Sequence, residues 1–196
     1  MTTHKKNIAI FASGNGSNFE ALTAACNKGI INATVRLLVC DNPQAKVIKR
    51  AKHHQVHTFS FNPKSYTTKA DFEQEIVNLM DSLHIDLVCL AGYMRIVGDT
   101  LLNRYEGRII NIHPALLPAF KGPNAIDKAF NFGVKVFGVT VHMVDKTVDG
   151  GPIIAQRGFE YHGNDRDEVE GYIHRVEHEL FPEAVNDMLT HLKTKQ

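Results

Sequence analysis

No apolar run in this chain approaches the ~18 residues that a membrane-spanning helix needs. The opening Met1-Thr-Thr-His-Lys-Lys leads into a short strand-like segment and not into a secretory signal core, so a soluble, cytoplasmic protein is expected. Cysteine is scarce: Cys26, Cys40 and Cys89 are odd in number, far apart and without CxxC spacing, which argues against a disulfide framework or a zinc site. Neither sign of charge is in excess, with Lys+Arg 22 against Asp+Glu 21 and no block of like charge. That removes the electrostatic footprint of a nucleic-acid or membrane binder, so any anionic ligand must be held locally. No H-E-x-x-H, no internal repeat and no low-complexity linker is present. At 196 residues the chain can bury a core without staples, and a single domain over 1–196 is expected.

What is present is an alternation of short apolar runs with helical patterns. Residues 7–12 and 34–40 read as strands, each followed by a helix, over 19–27 and 44–54. A short strand over 57–61 precedes Phe72, Ile76, Leu79, Met80 and Leu83 at helical spacing. Buried strands over 86–91 and 108–112 flank a short helix near 101–105. Such alternation implies an α/β, Rossmann-like three-layer αβα fold with a mainly parallel sheet. Residues 136–144 and 152–161 are joined by so short a turn that they must pair antiparallel. Val169, Tyr172, Ile173, Val176, Leu180, Val185 and Met188 mark a long C-terminal helix, bent or restarted at Pro182.

Chemistry concentrates at two places. Asn111-Ile-His113-Pro114-Ala-Leu-Leu-Pro118 ends a buried strand at a proline-bounded turn, where open α/β sheets expose reactive groups. Asn111 and His113 share one side of an extended strand, and Asp149, in Val148-Asp149-Gly150-Gly151-Pro152, supplies a carboxylate to tune the imidazole. An amide donor, a chargeable imidazole and a base suit an oxyanion and a proton transfer, hence acyl-group chemistry. The plainer readings are a structural histidine beside a turn and an Asp-Gly turn residue; only the pairing of Asp149 with His113 makes either catalytic.

The second place is the loop Ser13-Gly14-Asn15-Gly16-Ser17-Asn18, between the first strand and its helix, where free amides point towards an anion such as a phosphate. The same loop reads equally as a tight turn with Ser17 or Asn18 capping the helix. Phe19 stands where a dinucleotide fingerprint has its third glycine and no Gly-Lys-Ser/Thr follows, so a phosphomonoester fits better than NAD or ATP. Glu177 falls near the inward stripe of the last helix, where a carboxylate needs a polar partner. His142 alternates with Val141 and Met143 and is expected on the solvated side of its strand, in a supporting role at most. Phe120-Lys-Gly122-Pro-Asn124 reads as a hinge or as a rigid turn.

Taken together, SGNGSN, AGYMRIV, NIHPALLPAFKG, VHMV and VDGGP resemble the phosphoribosylglycinamide formyltransferases, within the folate-dependent formyltransferases, along nearly the whole chain. The resemblance implies that Asn111, His113 and Asp149 form a catalytic triad, that Gly16, Ser17 and Asn18 cradle a ribonucleotide phosphate and that Glu177 meets the ribose. It implies that Met94, Arg95, Ile96 and Val97, with Val144 and Asp145, line a folate pocket. The expected co-substrate is 10-formyltetrahydrofolate, its formyl group passing directly to the amine of 5-phosphoribosylglycinamide, a step of de novo purine biosynthesis, with no metal. Asp149 is expected to raise the pKa of His113, so that a protonated ring can share an oxyanion with Asn111. No nucleic-acid or membrane partner is expected, and the chain should be a monomer or weak homodimer. The rivals are hydrolysis of 10-formyltetrahydrofolate, with water in place of the amine, and a non-catalytic ribonucleotide- or folate-binding module.

Overall fold

A computed structural model describes residues 5–192. Seven strands form one sheet in the order β3-β2-β1-β4-β5-β6-β7. These are β1 (Lys6–Phe11), β2 (Ala33–Cys40), β3 (His57–Ser60), β4 (Leu87–Leu90), β5 (Ile109–His113), β6 (Val136–Met143) and β7 (Ile153–Glu160). The helices are α1 (Ser17–Asn27), α2 (Lys46–His53), α3 (Lys69–Ser82), α4 (Asp99–Arg104), α5 (Ala125–Phe132) and α6 (Arg166–His191). Pairings among β1 to β5 are parallel, and both β5–β6 and β6–β7 are antiparallel.

The period-two alternation of β1 divides the core. Ile8 and Ile10 face the cluster under α1, α2, α5 and α6, with Phe19, Leu22, Val47, Ala129, Ile173 and Phe181. Ala9 and Phe11 face the opposite cluster under α3 and α4, with Phe72, Ile76, Met80, Leu101 and Tyr105. The three layers and the mainly parallel sheet are as the sequence implies. The antiparallel part is one pairing larger than the strand pair expected from the turn, because β6 also runs against β5. No helix among the described residues is long and apolar enough to cross a membrane.

Two local departures have physical reasons. α6 continues through Pro182 without restarting, with Phe181, Pro182 and Ala184 all buried, so packing against the sheet outweighs the missing backbone donor. α5 has no counterpart among the sequence-level elements: it is a short helix entered through Asn124 in the left-handed region and closed by Gly133, also left-handed.

The order of strands places the switch in winding direction between β1 and β4, and ligands of open α/β sheets lie at the C-terminal ends of the strands there. The loop after β1 is SGNGSN, the loop after β4 is residues 92–98, and β5 ends beside them at His113.

Candidate active site

Asn111 and His113 project from the same face of β5. The antiparallel register sets His142 opposite Asn111 and Thr140 opposite His113. The turn after β5 folds over this face: Thr140 Oγ1 donates to the Ala115 carbonyl at 2.7 Å and accepts the Leu117 N–H at 3.0 Å. His142 is 2% exposed and His113 5% exposed, with Asn111, the Met143 carbonyl and Asp149 about the His142 ring, so the solvated position expected for His142 is not what the fold provides. The alternation of β6 was legible, but nothing in its own pattern shows that Asn111 and Asp149, from other segments, close on its polar side.

Asp149 arrives from the β6–β7 turn with a φ of 47°, a left-handed conformation that Asp tolerates better than most residues. Gly151 is needed just beyond it, since a Cβ there would lie 2.0 Å from the Met143 carbonyl oxygen. The Asp149 carboxylate reaches both histidines, Oδ2 at 3.4 Å from His113 Nδ1 and Oδ1 at 3.5 Å from His142 Nε2. Oδ2 also accepts the Gly122 N–H at 2.8 Å. Asn111, His113 and Asp149 are therefore brought together, with His142 as a fourth member.

The electrostatics of the group follow from who can donate. His142 and the Gly122 amide help to hold the Asp149 carboxyl down at about 2, against the burial that would raise it, so it is an anion at neutral pH. His113 Nε2 lies 3.0 Å from the Phe120 carbonyl oxygen and Nδ1 faces Asp149, so both ring nitrogens meet oxygens that can only accept. A neutral ring leaves one lone pair against an oxygen, and a proton would satisfy both contacts. Burial opposes that proton and prevails, placing the His113 pKa below its ordinary value although Asp149 and Phe120 pull it up. The expected net upward shift from Asp149 is thus reversed: its influence has the anticipated sign, but desolvation is the larger effect.

On the other side of the cleft, Gly16 holds a left-handed φ of 79° and would drive a Cβ to 2.5 Å from Val47 Cγ2. α1 begins at Ser17 with no side-chain cap, so the plainer reading of Ser17 or Asn18 as cap is not realised. The amides of Ser17, Asn18 and Phe19 precede the first intrahelical bond, Glu20 N–H to the Gly16 carbonyl, and offer an anion site at the positive end of the helix. Asn18 turns inward, its Nδ2 donating to Glu177 Oε2 at 3.0 Å. His174 Nδ1 meets the same oxygen at 3.0 Å, and Glu177 raises the His174 pKa. The Oδ1 of Asn18 is buried without a partner. Gly16, Ser17, Asn18 and Glu177 therefore form one contiguous edge.

The residues assigned to a folate pocket divide. Met94 and Ile96 are 80% and 68% exposed, apolar side chains presented to solvent. Together with Arg95, Lys69, Phe72 and Tyr66 they border a hollow of about 470 Å³. Val97 instead packs in the core beneath α3 and α4, leaving only its backbone for a ligand, and Val144 is partly buried against the same core. Asp145 is exposed and accepts the Thr147 N–H at 2.7 Å. A separate hollow of about 650 Å³ at the N-terminal ends of β2 and β3, bordered by Thr34, Arg36 and His57, shares no residue with the candidate site. Among the described residues, no group of three or more His, Cys, Asp or Glu side chains is placed to hold a metal ion.

Residues 6–185 match the Formyl transferase family. The chain belongs to that family. It is 51% identical over 185 residues to the phosphoribosylglycinamide formyltransferase of Bacillus subtilis (strain 168), covering 94% of this chain and 95% of that protein. The phosphoribosylglycinamide formyltransferase of Escherichia coli (strain K12) is 32% identical, over 92% of this chain and 85% of its own. Among solved structures, glycinamide ribonucleotide transformylase 1 from Geobacillus kaustophilus superposes with a TM-score of 0.92 at 51% identity, covering 95% of this chain and 100% of that one. For a formyl transferase fold of this kind the sequence-level site was incomplete in two respects: His142, and the backbone groups of Phe120 and Gly122 that grip His113 and Asp149. Only the β5–β6 register, which sets His142 against Asn111, could have revealed the first.

Proposed function

We propose that this formyl transferase family member moves the formyl group of 10-formyltetrahydrofolate to the amine of 5-phosphoribosylglycinamide, as a phosphoribosylglycinamide formyltransferase of purine biosynthesis. The observation that carries the reading is the convergence of Asn111, His113 and Asp149 beside an uncapped helix N-terminus, in a chain with relatives of that name. The α1 amides and Asn18 suit the phosphate, and Glu177 suits the ribose hydroxyls. Met94, Arg95, Ile96, the Val97 backbone, Val144 and Asp145 form the folate side.

In this scheme the amine nitrogen attacks the formyl carbon, forming a C–N bond and a tetrahedral oxyanion. Asn111 Nδ2 carries two protons, one directed at His142 and one left for that oxyanion. His113, neutral at rest through burial, accepts the amine proton with Asp149 stabilising the cation, and returns it as the bond to the folate nitrogen breaks. His113 must loosen its hold on the Phe120 carbonyl to serve, which gives residues 120–124 a part in substrate entry. The residues of the scheme fall within one unit, and no step calls for a metal.

The test is formyl transfer with and without 5-phosphoribosylglycinamide, following formylated nucleotide and free formate, with His113→Ala as control. Nucleotide-dependent product lost in the control supports the proposal; formate released without acceptor would make the protein a hydrolase instead. Folded protein that binds both ligands and yields neither product would be a binding module.

A further inference from the structure

Ser13 joins the two halves of the cleft. It begins the SGNGSN loop, yet its backbone N–H donates to the Gly92 carbonyl at 3.0 Å and its Oγ accepts the Met94 N–H at 2.9 Å. The hydroxyl proton is committed elsewhere, to Asp41 Oδ1 at 2.5 Å, which fixes the direction of the lone pair that Met94 uses. Asp41 in turn has its Oδ2 3.5 Å from Arg95 Nε. The loops after β1, β2 and β4 therefore meet at one hydroxyl.

The loop over residues 92–98 has little else to hold its backbone. Apart from the first turn of α4, its backbone hydrogen bonds to the rest of the described chain come from Ser13 at one end and from buried Glu73 at the other, which accepts the Gly98 N–H at 2.7 Å. Between these anchors Met94 and Ile96 stand exposed. The near anchor is not part of the scaffold: it is the first residue of the loop that carries the anion-binding amides.

We infer that Ser13 is a positioning residue that couples the two ligands, so that phosphate binding on the α1 side fixes the loop over residues 92–98 and tightens binding on the folate side, and the reverse. The inference rests on the proposed assignment of nucleotide and folate to the two sides. Coupling through a shared ordered element is reciprocal, and effects of about 5- to 150-fold are usual.

The experiment is calorimetric titration of tetrahydrofolate into the full chain, alone and with saturating 5-phosphoribosylglycinamide, a pair with no formyl group to transfer. The expected result is at least ~5-fold tighter folate binding in the presence of nucleotide. In Ser13→Ala the factor should fall towards 1, meaning no mutual effect. Asp41→Ala, which keeps Ser13 but removes the acceptor of its proton, should fall in the same direction. A merely structural role would weaken each ligand separately and leave their ratio intact. Coupling absent from the wild type, or unchanged in both variants, overturns the inference. Failure of the wild type to bind either ligand alone would instead overturn the assignment of function beneath it.

Discussion

The Asn111 amide and the His142 imidazole form a hydrogen bond across the β5–β6 pair, 3.1 Å between Nδ2 and Nε2. His142 Nδ1 lies 2.8 Å from the Met143 carbonyl oxygen, which can only accept, so in the neutral ring the proton sits on Nδ1 and Nε2 accepts from Asn111, whereas the charged ring would turn an Nε2 proton towards Asp149 Oδ1, 3.5 Å away. That tautomer requires Asn111 to present its NH₂ group to the ring. A backbone carbonyl thus decides which way a side-chain amide points, and with it whether the site offers a donor or an acceptor.

Replacing His142 by Phe keeps bulk and removes the acceptor. The expected outcome is a lower kcat with KM little altered, and a smaller loss than for Asn111→Ala, where an oxyanion donor disappears and about 10²- to 10³-fold is typical. Steady-state kinetics on the two variants checks the ranking; a His142→Phe enzyme at full turnover would remove the orienting role.

Asp149→Asn preserves tolerance of the left-handed backbone at that position while deleting the charge. Turnover should fall by about 10²- to 10⁴-fold, the range of a lost acid–base group. NMR titration should show the His113 midpoint lower than in the wild type, because Asp149 is the chief influence that raises it. A midpoint that stayed put would mean the two groups are not coupled.

Two histidines should respond to pH in opposite senses. The folded-state pKa of His113 lies below the ordinary 6.5, so the stability linked to its neutral form is complete above that value and is lost as pH falls through the folded midpoint. His174, raised from 6.5 by Glu177, contributes stability that is complete below 6.5 and is lost as pH rises through its folded midpoint. Denaturant midpoints measured against pH should part from wild type as pH falls for His113→Gln, whereas Glu177→Gln should fall below wild type on the acid side and converge with it as pH rises through the folded His174 midpoint.

Gly16→Ala should cost about 1–3 kcal/mol by overpacking against Val47 and weaken binding of 5-phosphoribosylglycinamide, with tetrahydrofolate much less affected. Thermal unfolding with each ligand separates the two effects. Equal loss of both ligands would show that the turn serves the whole cleft and not its phosphate edge.

Much of this was legible along the chain because local pattern and final burial agree. Ile8, Ala9, Ile10 and Phe11 form a run without polar relief, and all four are fully buried between helical layers. Asn111 and His113 were placed together by the strand period alone. What was not legible depends on partners distant in sequence. His142 looks solvent-facing until Asn111 and Asp149 are brought to its ring, and the pKa of His113 turns on a desolvation that no spacing reveals. α5 escaped notice because its buried positions are small, Ala125 and Ala129, and its entry lies beside a Gly-Pro pair that reads as loop.

Asn18 and Glu177 stand 159 positions apart, whereas Asn111, His113, His142 and Asp149 come from neighbouring segments of one continuous stretch. The catalytic group therefore draws on one stretch of chain, whereas the edge that meets the ribonucleotide in the proposed scheme is closed by a hydrogen bond between the first helix and the last. A ligand held at that edge would report directly on whether the two ends of the fold are joined.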